Sequence, residues 1–197
     1  MKTYSKLLVL LVSAQLVSAG AVLAGDNAGA GWITLFDGKN LDHWDTTGDA
    51  NWRIAEGNIV QADAGNGMLV SKDSYRDFEV QLEFWADAKT NSGVFIRCNN
   101  ARDISPTHCY EVNIFDTRPD QSGRSGAIVD VAPPREVIKT EDRWNTFEIL
   151  AQGTHLVVKL NGKVTVDTQD GKFSAGPFAL QYAAGGIKFR NVRIRPL

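Results

Sequence analysis

Apolar and polar residues alternate with a period of two along several short segments of the chain. The clearest segment is 78–84, FEVQLEF, in which apolar residues stand at even positions and polar residues at odd positions. Such alternation is typical of a β-strand that packs one face against a core. The other segments with this pattern are 93–97, 110–114, 146–149, 156–160 and 178–182. Beyond residue 24, no run of 12 or more residues keeps a helical period, so the pattern predicts an all-β domain.

Turn residues separate these segments at short intervals. Asn161-Gly162 stands between two alternating segments and predicts a tight hairpin, because both residues tolerate positive φ. The alternation of the last segment changes phase near Arg190–Asn191, which predicts a β-bulge there. Many short strands with frequent turns favour a two-sheet antiparallel β-sandwich or jelly roll. The longest segment without strand character, 116–135, is expected to be an ordered loop that borders a site.

The N-terminus has the features of a secretory signal peptide. Two lysines precede an apolar run, and the run ends in the small-residue sequence Val22-Leu23-Ala24. Polar residues interrupt the run, which disfavours a retained membrane helix. We therefore expect a signal peptide of residues 1–24 cleaved after Ala24, a short tail of residues 25–30, and a single domain over residues 31–197. The mature protein is expected to be periplasmic or secreted, without membrane insertion.

Composition and charge limit the classes of protein further. The chain is 43% hydrophobic and 22% charged, which is typical of a globular protein. A formal net charge of -2 leaves no basic surface, so no nucleic-acid partner is expected. The two cysteines, Cys98 and Cys109, stand at the facing ends of two predicted strands, and an exported protein would join them in a disulfide. The alternatives are two buried free thiols or, less favoured, a metal pair.

The strand faces that point away from the core carry the candidate chemistry. If the strands are neighbours, these positions place carboxylates, carboxamides, a guanidinium and aromatic rings on one sheet face. Sugar recognition uses this mixture, because planar polar groups bind hydroxyls and rings cover the apolar faces of sugars. The alternative is an ordinary solvated polar face. The residues concerned are Gln81, Glu83, Trp85, Phe95, Arg97, Glu111, Asn113 and Gln181.

Residues 111–116 can be compared with the Glu-x-Asp-x-x-Glu strand of laminarinase-type jelly-roll glycosidases. The two outer carboxylates of that strand act as nucleophile and acid/base, about 5 Å apart. Here the three positions hold Glu111, Asn113 and Asp116, so the middle acid is missing and the last is one methylene shorter. Ordinary retaining glycoside hydrolysis is therefore disfavoured. The three histidines of the chain have no metal-ligand spacing.

Several longer motifs together resemble a known family. Residues 31–44, GWITLFDGKNLDHW, are similar to an opening signature Phe-Asp-Gly-Lys-x-Leu-x-x-Trp. Further similar segments are YRDFEV at 75–80, NSGVFIR at 91–97, YEVNI at 110–114, GPFALQ at 176–181 and FRNVRI at 189–194. The family they resemble is the 3-keto-disaccharide hydrolase domain, and the resemblance runs in order over about residues 31–197.

The resemblance implies a concanavalin A-like jelly roll that acts on glycosides oxidised at carbon 3. A ketone at carbon 3 acidifies the hydrogen on carbon 2, so one base and one oxyanion-stabilising group can expel the aglycone. We expect Glu111 to be the base and Arg97 to stabilise the enolate. A divalent metal acting as a Lewis acid fits this chemistry, but the sequence shows no ligand set for it. The expected substrate contacts are Gln181, Asn113, Glu83, Trp85 and Asp116.

Two positions depart from the family pattern. Asn113 stands where the family has a Gln, which shortens one arm of the site. Gln181 is followed by Tyr182-Ala183-Ala184-Gly185, where many members have a His near a Gly, so no His-dependent step is expected. The alternative class is a secreted carbohydrate-binding module with the same sandwich fold and no turnover.

Overall fold

The computed structural model describes residues 31–197. Within this range the chain folds into two antiparallel β-sheets packed face to face, which confirms the predicted β-sandwich. The predicted signal peptide of residues 1–24 and the tail of residues 25–30 lie outside the described residues. Nowhere between residues 31 and 197 is there a helix with the length and apolar character to cross a membrane.

Thirteen strands form the two sheets. Sheet A has the order β11-β10-β9-β6-β13-β4-β3, with β1 also paired to β13, and sheet B has the order β2-β5-β12-β7-β8. In chain order the strands are β1 (Ile33–Phe36), β2 (Trp44–Gly48), β3 (Arg53–Ala55), β4 (Ile59–Ala62), β5 (Gly67–Tyr75), β6 (Phe78–Ala86), β7 (Ser92–Ile96), β8 (Tyr110–Ile114), β9 (Arg143–Gln152), β10 (His155–Leu160), β11 (Lys163–Gln169), β12 (Gly176–Tyr182) and β13 (Ile187–Pro196).

The local predictions for sheet A are confirmed. The even-numbered residues of β6 are buried, and its odd-numbered polar residues are half-buried on the outer face. Asn161-Gly162 connects β10 to β11 with φ of 53° and 77°, the left-handed conformation that a two-residue hairpin turn requires. The pairing of β13 with β6 shifts register between Arg190 and Arg193, where the bulge was predicted.

Sheet B is buried on both faces. One face, which includes Val94 and Val112, packs against sheet A in the main core. The other face carries a second apolar cluster formed by Met68, Val70, Phe95, Ala179 and the two cysteines. Cys98 and Cys109 are joined by a disulfide, and Ile104 in the loop between them packs onto this cluster. Part of the outer face of sheet B is therefore covered by the chain itself.

Candidate functional site

Three polar side chains converge on the outer face of sheet B. Glu111 and Asn113 alternate with core residues of β8, and Gln181 has the same orientation on β12. All three surround Gly93 of β7: Asn113 is its partner in the strand register, and Gln181 lies opposite it across β12. A Cβ added at Gly93 would lie 3.1 Å from Oε1 of Glu111. The missing side chain of Gly93 thus leaves the space that the Glu111 carboxylate occupies.

Two of these side chains have buried oxygens that lack a hydrogen-bond partner. They are Oδ1 of Asn113 and Oε1 of Gln181. The amide nitrogen of Asn113 donates to the carbonyl of Gly123, which fixes the direction of the side chain. An unpaired buried acceptor costs free energy unless a ligand or water donates to it. Three other buried atoms of the described residues also lack a partner, but each is on a separate element: Trp52 Nε1, Tyr75 Oη and Arg195 Nε.

The environment of Glu111 favours its neutral form. Its side chain is only 6% exposed, and no described residue donates a hydrogen bond to its carboxylate. Burial raises the pKa of Glu111 to about 7. The positive charge of Arg118 acts to lower this pKa, and the negative charge of Asp130 acts to raise it further. A carboxylate with a pKa near neutrality can both accept and return a proton at physiological pH.

The loop of residues 116–135 borders this site. Residues within it pair with β8, since Asn113 N donates to Ala127 O and Val129 N donates to Glu111 O. Asp116 holds the loop in place: its carboxylate accepts from Ser125 Oγ at 2.5 Å and from Thr140 N at 2.5 Å. The expectation that Asp116 contacts substrate is therefore not supported by its position, because these structural hydrogen bonds occupy the carboxylate.

Arg97 does not lie beside Glu111. Its φ is 54°, so the backbone leaves the strand alternation at this residue. The guanidinium is 1% exposed, and it donates to the carbonyls of Arg76 and Gly153 and to Asp77 Oδ1. These bonds join turns at the end of the sandwich. The predicted position of Arg97 beside Glu111, on which its enolate-stabilising role depended, is therefore wrong.

Glu83 and Trp85 lie on the other sheet. Both belong to β6 of sheet A, whereas Glu111 belongs to β8 of sheet B, so the expectation of one shared face is wrong for these two residues. Glu83 accepts from Arg190 at 2.6 Å and from Asn191 at 2.6 Å. The ring of Trp85 is covered by the ammonium of Lys188, 4.6 Å from the ring centroid. Both side chains are engaged with β13 and its bulge.

The outer face of sheet A carries a wide groove of about 850 Å³. It is lined by Trp32, Gln81, Glu83, Glu148 and Arg193 among others. The polar groups on its floor pair with one another: Arg193 donates to Gln81, and Arg190 donates to Glu83. The polar group on sheet B, formed by Glu111, Asn113 and Gln181, has unpaired acceptors and a carboxyl of raised pKa. It is therefore the better candidate for chemistry, although it is largely buried.

Arg118 and Gly93 are two residues of the site that the sequence interpretation missed. Arg118 belongs to the loop that was expected to border a site, but only the structure relates its charge to Glu111. Gly93 was part of a matching segment but was given no role. Its absent side chain leaves room for the Glu111 carboxylate, and this could be seen only once the register of β7 and β8 was known. Among residues 31–197, no three His, Cys, Asp or Glu side chains form a group that could hold a metal ion.

The fold and this site define a class of protein, the carbohydrate-active β-sandwich. The chain belongs to the family described as the 3-keto-alpha-glucoside-1,2-lyase-like domain, whose model matches residues 31–195. The match includes both sheets and every site residue discussed above. This agrees with the resemblance drawn from the sequence motifs.

Known proteins similar to the chain support a carbohydrate-active role. A 3-keto-disaccharide hydrolase from Bacteroides thetaiotaomicron is 24% identical over 152 residues, which are 61% of this chain and 52% of the relative. The chain thus spans about half the length of that relative. A solved structure of a candidate glycosyl hydrolase from Parabacteroides distasonis has 28% identity and a TM-score of 0.71, covering 84% of this chain and 99% of the other.

A carbohydrate-binding module from Bacillus subtilis shares the fold. Its identity is 17% and its TM-score is 0.62, over 83% of this chain and 98% of the module. At this identity the similarity concerns the fold alone.

Proposed function

We propose that this protein cleaves glycosides that carry a ketone at carbon 3, with Glu111 as the base. The observation that carries the proposal is the convergence of the Glu111 carboxyl and two unpaired amide oxygens over Gly93. Hydroxyl groups of a sugar would donate to Asn113 Oδ1 and Gln181 Oε1. The family description and the relative named 3-keto-disaccharide hydrolase support the substrate class.

The proposed reaction is an elimination followed by a hydration. Glu111 takes the proton from carbon 2, and the electron pair moves toward the carbonyl oxygen at carbon 3 to give an enolate. The enolate then restores the carbonyl, forms a double bond between carbons 1 and 2, and expels the glycosidic oxygen, which receives the proton from Glu111. Water adds across that double bond, oxygen to carbon 1 and hydrogen to carbon 2, so the net change is hydrolysis.

The first test measures turnover of a 3-keto-glucoside and of the same glucoside without the ketone. We expect release of the aglycone only from the oxidised sugar, because only its carbon 2 is acidic. Glu111→Gln removes the basicity but preserves the shape, so turnover should fall by roughly 10²–10⁴-fold. Binding of the 3-keto-glucoside, measured by calorimetry, should stay within a few-fold of the wild-type affinity.

Glu148→Gln is the matched control for this substitution. Glu148 lies on the outer face of sheet A and has its carboxylate 3.7 Å from Lys159 Nζ, so its replacement should leave turnover unchanged. Near-normal turnover of Glu111→Gln would contradict the assignment of the base. Binding of the sugar by the wild-type protein without any turnover would favour the carbohydrate-binding module instead.

A further inference from the structure

Arg118 is held against the site by a contact that only glycine permits. A Cβ added at Gly123 would lie 2.6 Å from Nε and 2.8 Å from Cζ of Arg118, so the guanidinium packs directly on the Gly123 backbone. The carbonyl of the same Gly123 accepts the hydrogen bond from the Asn113 amide. One residue therefore joins the Arg118 guanidinium to the polar group next to Glu111.

The backbone around Arg118 is also fixed. Arg118 N donates to Phe115 O at 3.4 Å, and Arg118 O accepts from Arg124 Nε at 3.1 Å. No described residue forms a hydrogen bond or ion pair with the guanidinium itself, although the side chain is half-buried. In contrast, the guanidinium of Arg97 is fully used by carbonyls and Asp77. Arg118 is thus a well-placed cation whose donors remain available to a ligand.

We propose that Arg118 is the oxyanion-stabilising catalytic residue of this site and that Gly123 is its positioning residue. The inference rests on the proposed function and assigns the role that the sequence interpretation gave to Arg97. When Glu111 removes the proton from carbon 2, negative charge develops on the oxygen at carbon 3. A guanidinium beside that oxygen stabilises the enolate more than the neutral ketone, which lowers the barrier.

The test combines single and double substitutions. Arg118→Gln should lower kcat by roughly 10²–10³-fold, the usual loss when one oxyanion donor is removed. Arg118→Lys should recover only part of the rate, because an ammonium lacks the planar pair of donors. Gly123→Ala should lower kcat by displacing the guanidinium, with a smaller change in KM. In the Arg118→Gln background, Gly123→Ala should have no further effect, since its action passes through Arg118.

Two controls accompany these variants. Gly171→Ala adds a Cβ 3.3 Å from Thr154, a milder packing change away from the site that introduces the same substitution, and should leave kcat unchanged. Arg76→Gln removes an exposed positive charge from the β5–β6 turn and should also have no effect. Additive losses of Arg118→Gln and Gly123→Ala, or normal kcat of Arg118→Gln, would overturn the assignment.

A readout without substrate separates this inference from the proposed function. Arg118→Gln should raise the pKa of Glu111, followed by carboxyl ¹³C chemical shifts, because a nearby positive charge is lost. Gly123→Ala should raise it less, and not at all in the Arg118→Gln background. If the wild-type protein does not turn over 3-keto-glucosides, both the proposed function and the catalytic role of Arg118 are wrong. If turnover is normal in the wild type and the Glu111 titration is the same in Arg118→Gln, only the inference fails.

Discussion

Arg97 uses one buried positive charge to join three parts of the backbone. Its guanidinium bonds to Arg76 and Asp77 in the β5–β6 turn, to the carbonyl of Gly153 in the β9–β10 turn, and to the carbonyl of Phe173 before β12. Asp77 Oδ1 in turn accepts from Gly153 N at 2.9 Å, which completes a closed network. The guanidinium itself is 1% exposed, and replacing the side chain would remove the donor that these groups share.

Replacement of Arg97 should therefore impair stability. Arg97→Met keeps much of the side-chain volume but removes the donor shared by the carbonyls of Arg76 and Gly153 and the partly exposed Asp77, so we expect a loss of about 1–3 kcal/mol in the free energy of unfolding. Urea unfolding at neutral pH measures it. Arg102→Met, at an exposed loop position, is the control and should change the free energy by less than about 0.5 kcal/mol. An Arg97→Met protein of normal stability but no turnover would instead support the catalytic role expected from sequence.

The position of Arg97 could not be predicted from alternation. Alternation assigns side chains to faces only where the backbone is extended. The φ of 54° shows that the backbone is not extended at Arg97. Glu111, Asn113 and Gln181 lie within regular strands, and for these residues the alternation predicted the correct face of the strand. The sequence also contained no sign of the Arg118 contact, because it depends on the path of an irregular loop around Gly123.

At the scale of elements, the disulfide loop of residues 98–109 covers part of sheet B. Cys98 lies two residues after the end of β7, and Cys109 directly precedes β8. Ile104 packs on the cluster that contains Phe95 and Met68. Phe95 of this cluster is the register partner of Glu111, so the cluster lies directly beside the polar group of Glu111, Asn113 and Gln181.

Loss of the disulfide should destabilise the loop of residues 98–109 and its packing on sheet B. We expect no free thiol in the unreduced, denatured protein, and we expect Cys98→Ser with Cys109→Ser to lower the free energy of unfolding by about 2–4 kcal/mol. The double variant should also bind a hydrophobic dye more strongly, because Met68 and Phe95 become exposed. Two titratable thiols in the exported wild-type protein would contradict the prediction.

The alternating segments from residue 78 onward were correctly predicted as strands, but β1–β5 were not predicted, and the assignment of strands to sheets was wrong. The alternation of β6, the Asn161-Gly162 hairpin and the bulge at Arg190–Asn191 are local properties, and the structure has each of them. Glu83 and Glu111 were nevertheless placed on one face. Periodicity indicates which side of a strand is buried, but long-range pairing decides which sheet receives the strand.

At the scale of the whole molecule, Glu111 makes stability depend on pH. Its pKa is raised from 4.5 to about 7 in the folded protein. Between these values the folded state keeps a proton that the unfolded state has lost, so this residue lowers stability as pH rises through that window. Below the window the group is neutral in both states and has no such effect.

Glu111→Gln should remove this dependence. Relative to wild type, the variant should gain stability between pH 4 and pH 8, by up to about 3 kcal/mol if one pKa unit corresponds to about 1.4 kcal/mol. Denaturant unfolding at several pH values measures the difference, and Glu148→Gln serves as the control. A constant difference between Glu111→Gln and wild type across this range would mean that Glu111 titrates normally.

β13 connects parts of the chain that are far apart in sequence. One of its edges pairs with β6, and the other pairs first with β4 and then with β1, so that Ile33 faces Ile194. Sheet A cannot close before this strand has been synthesised, and contacts of such long range slow folding because of their entropic cost. Sheet A is therefore completed only after its last strand is available, whereas the β9–β10–β11 meander pairs through contacts that are local in sequence.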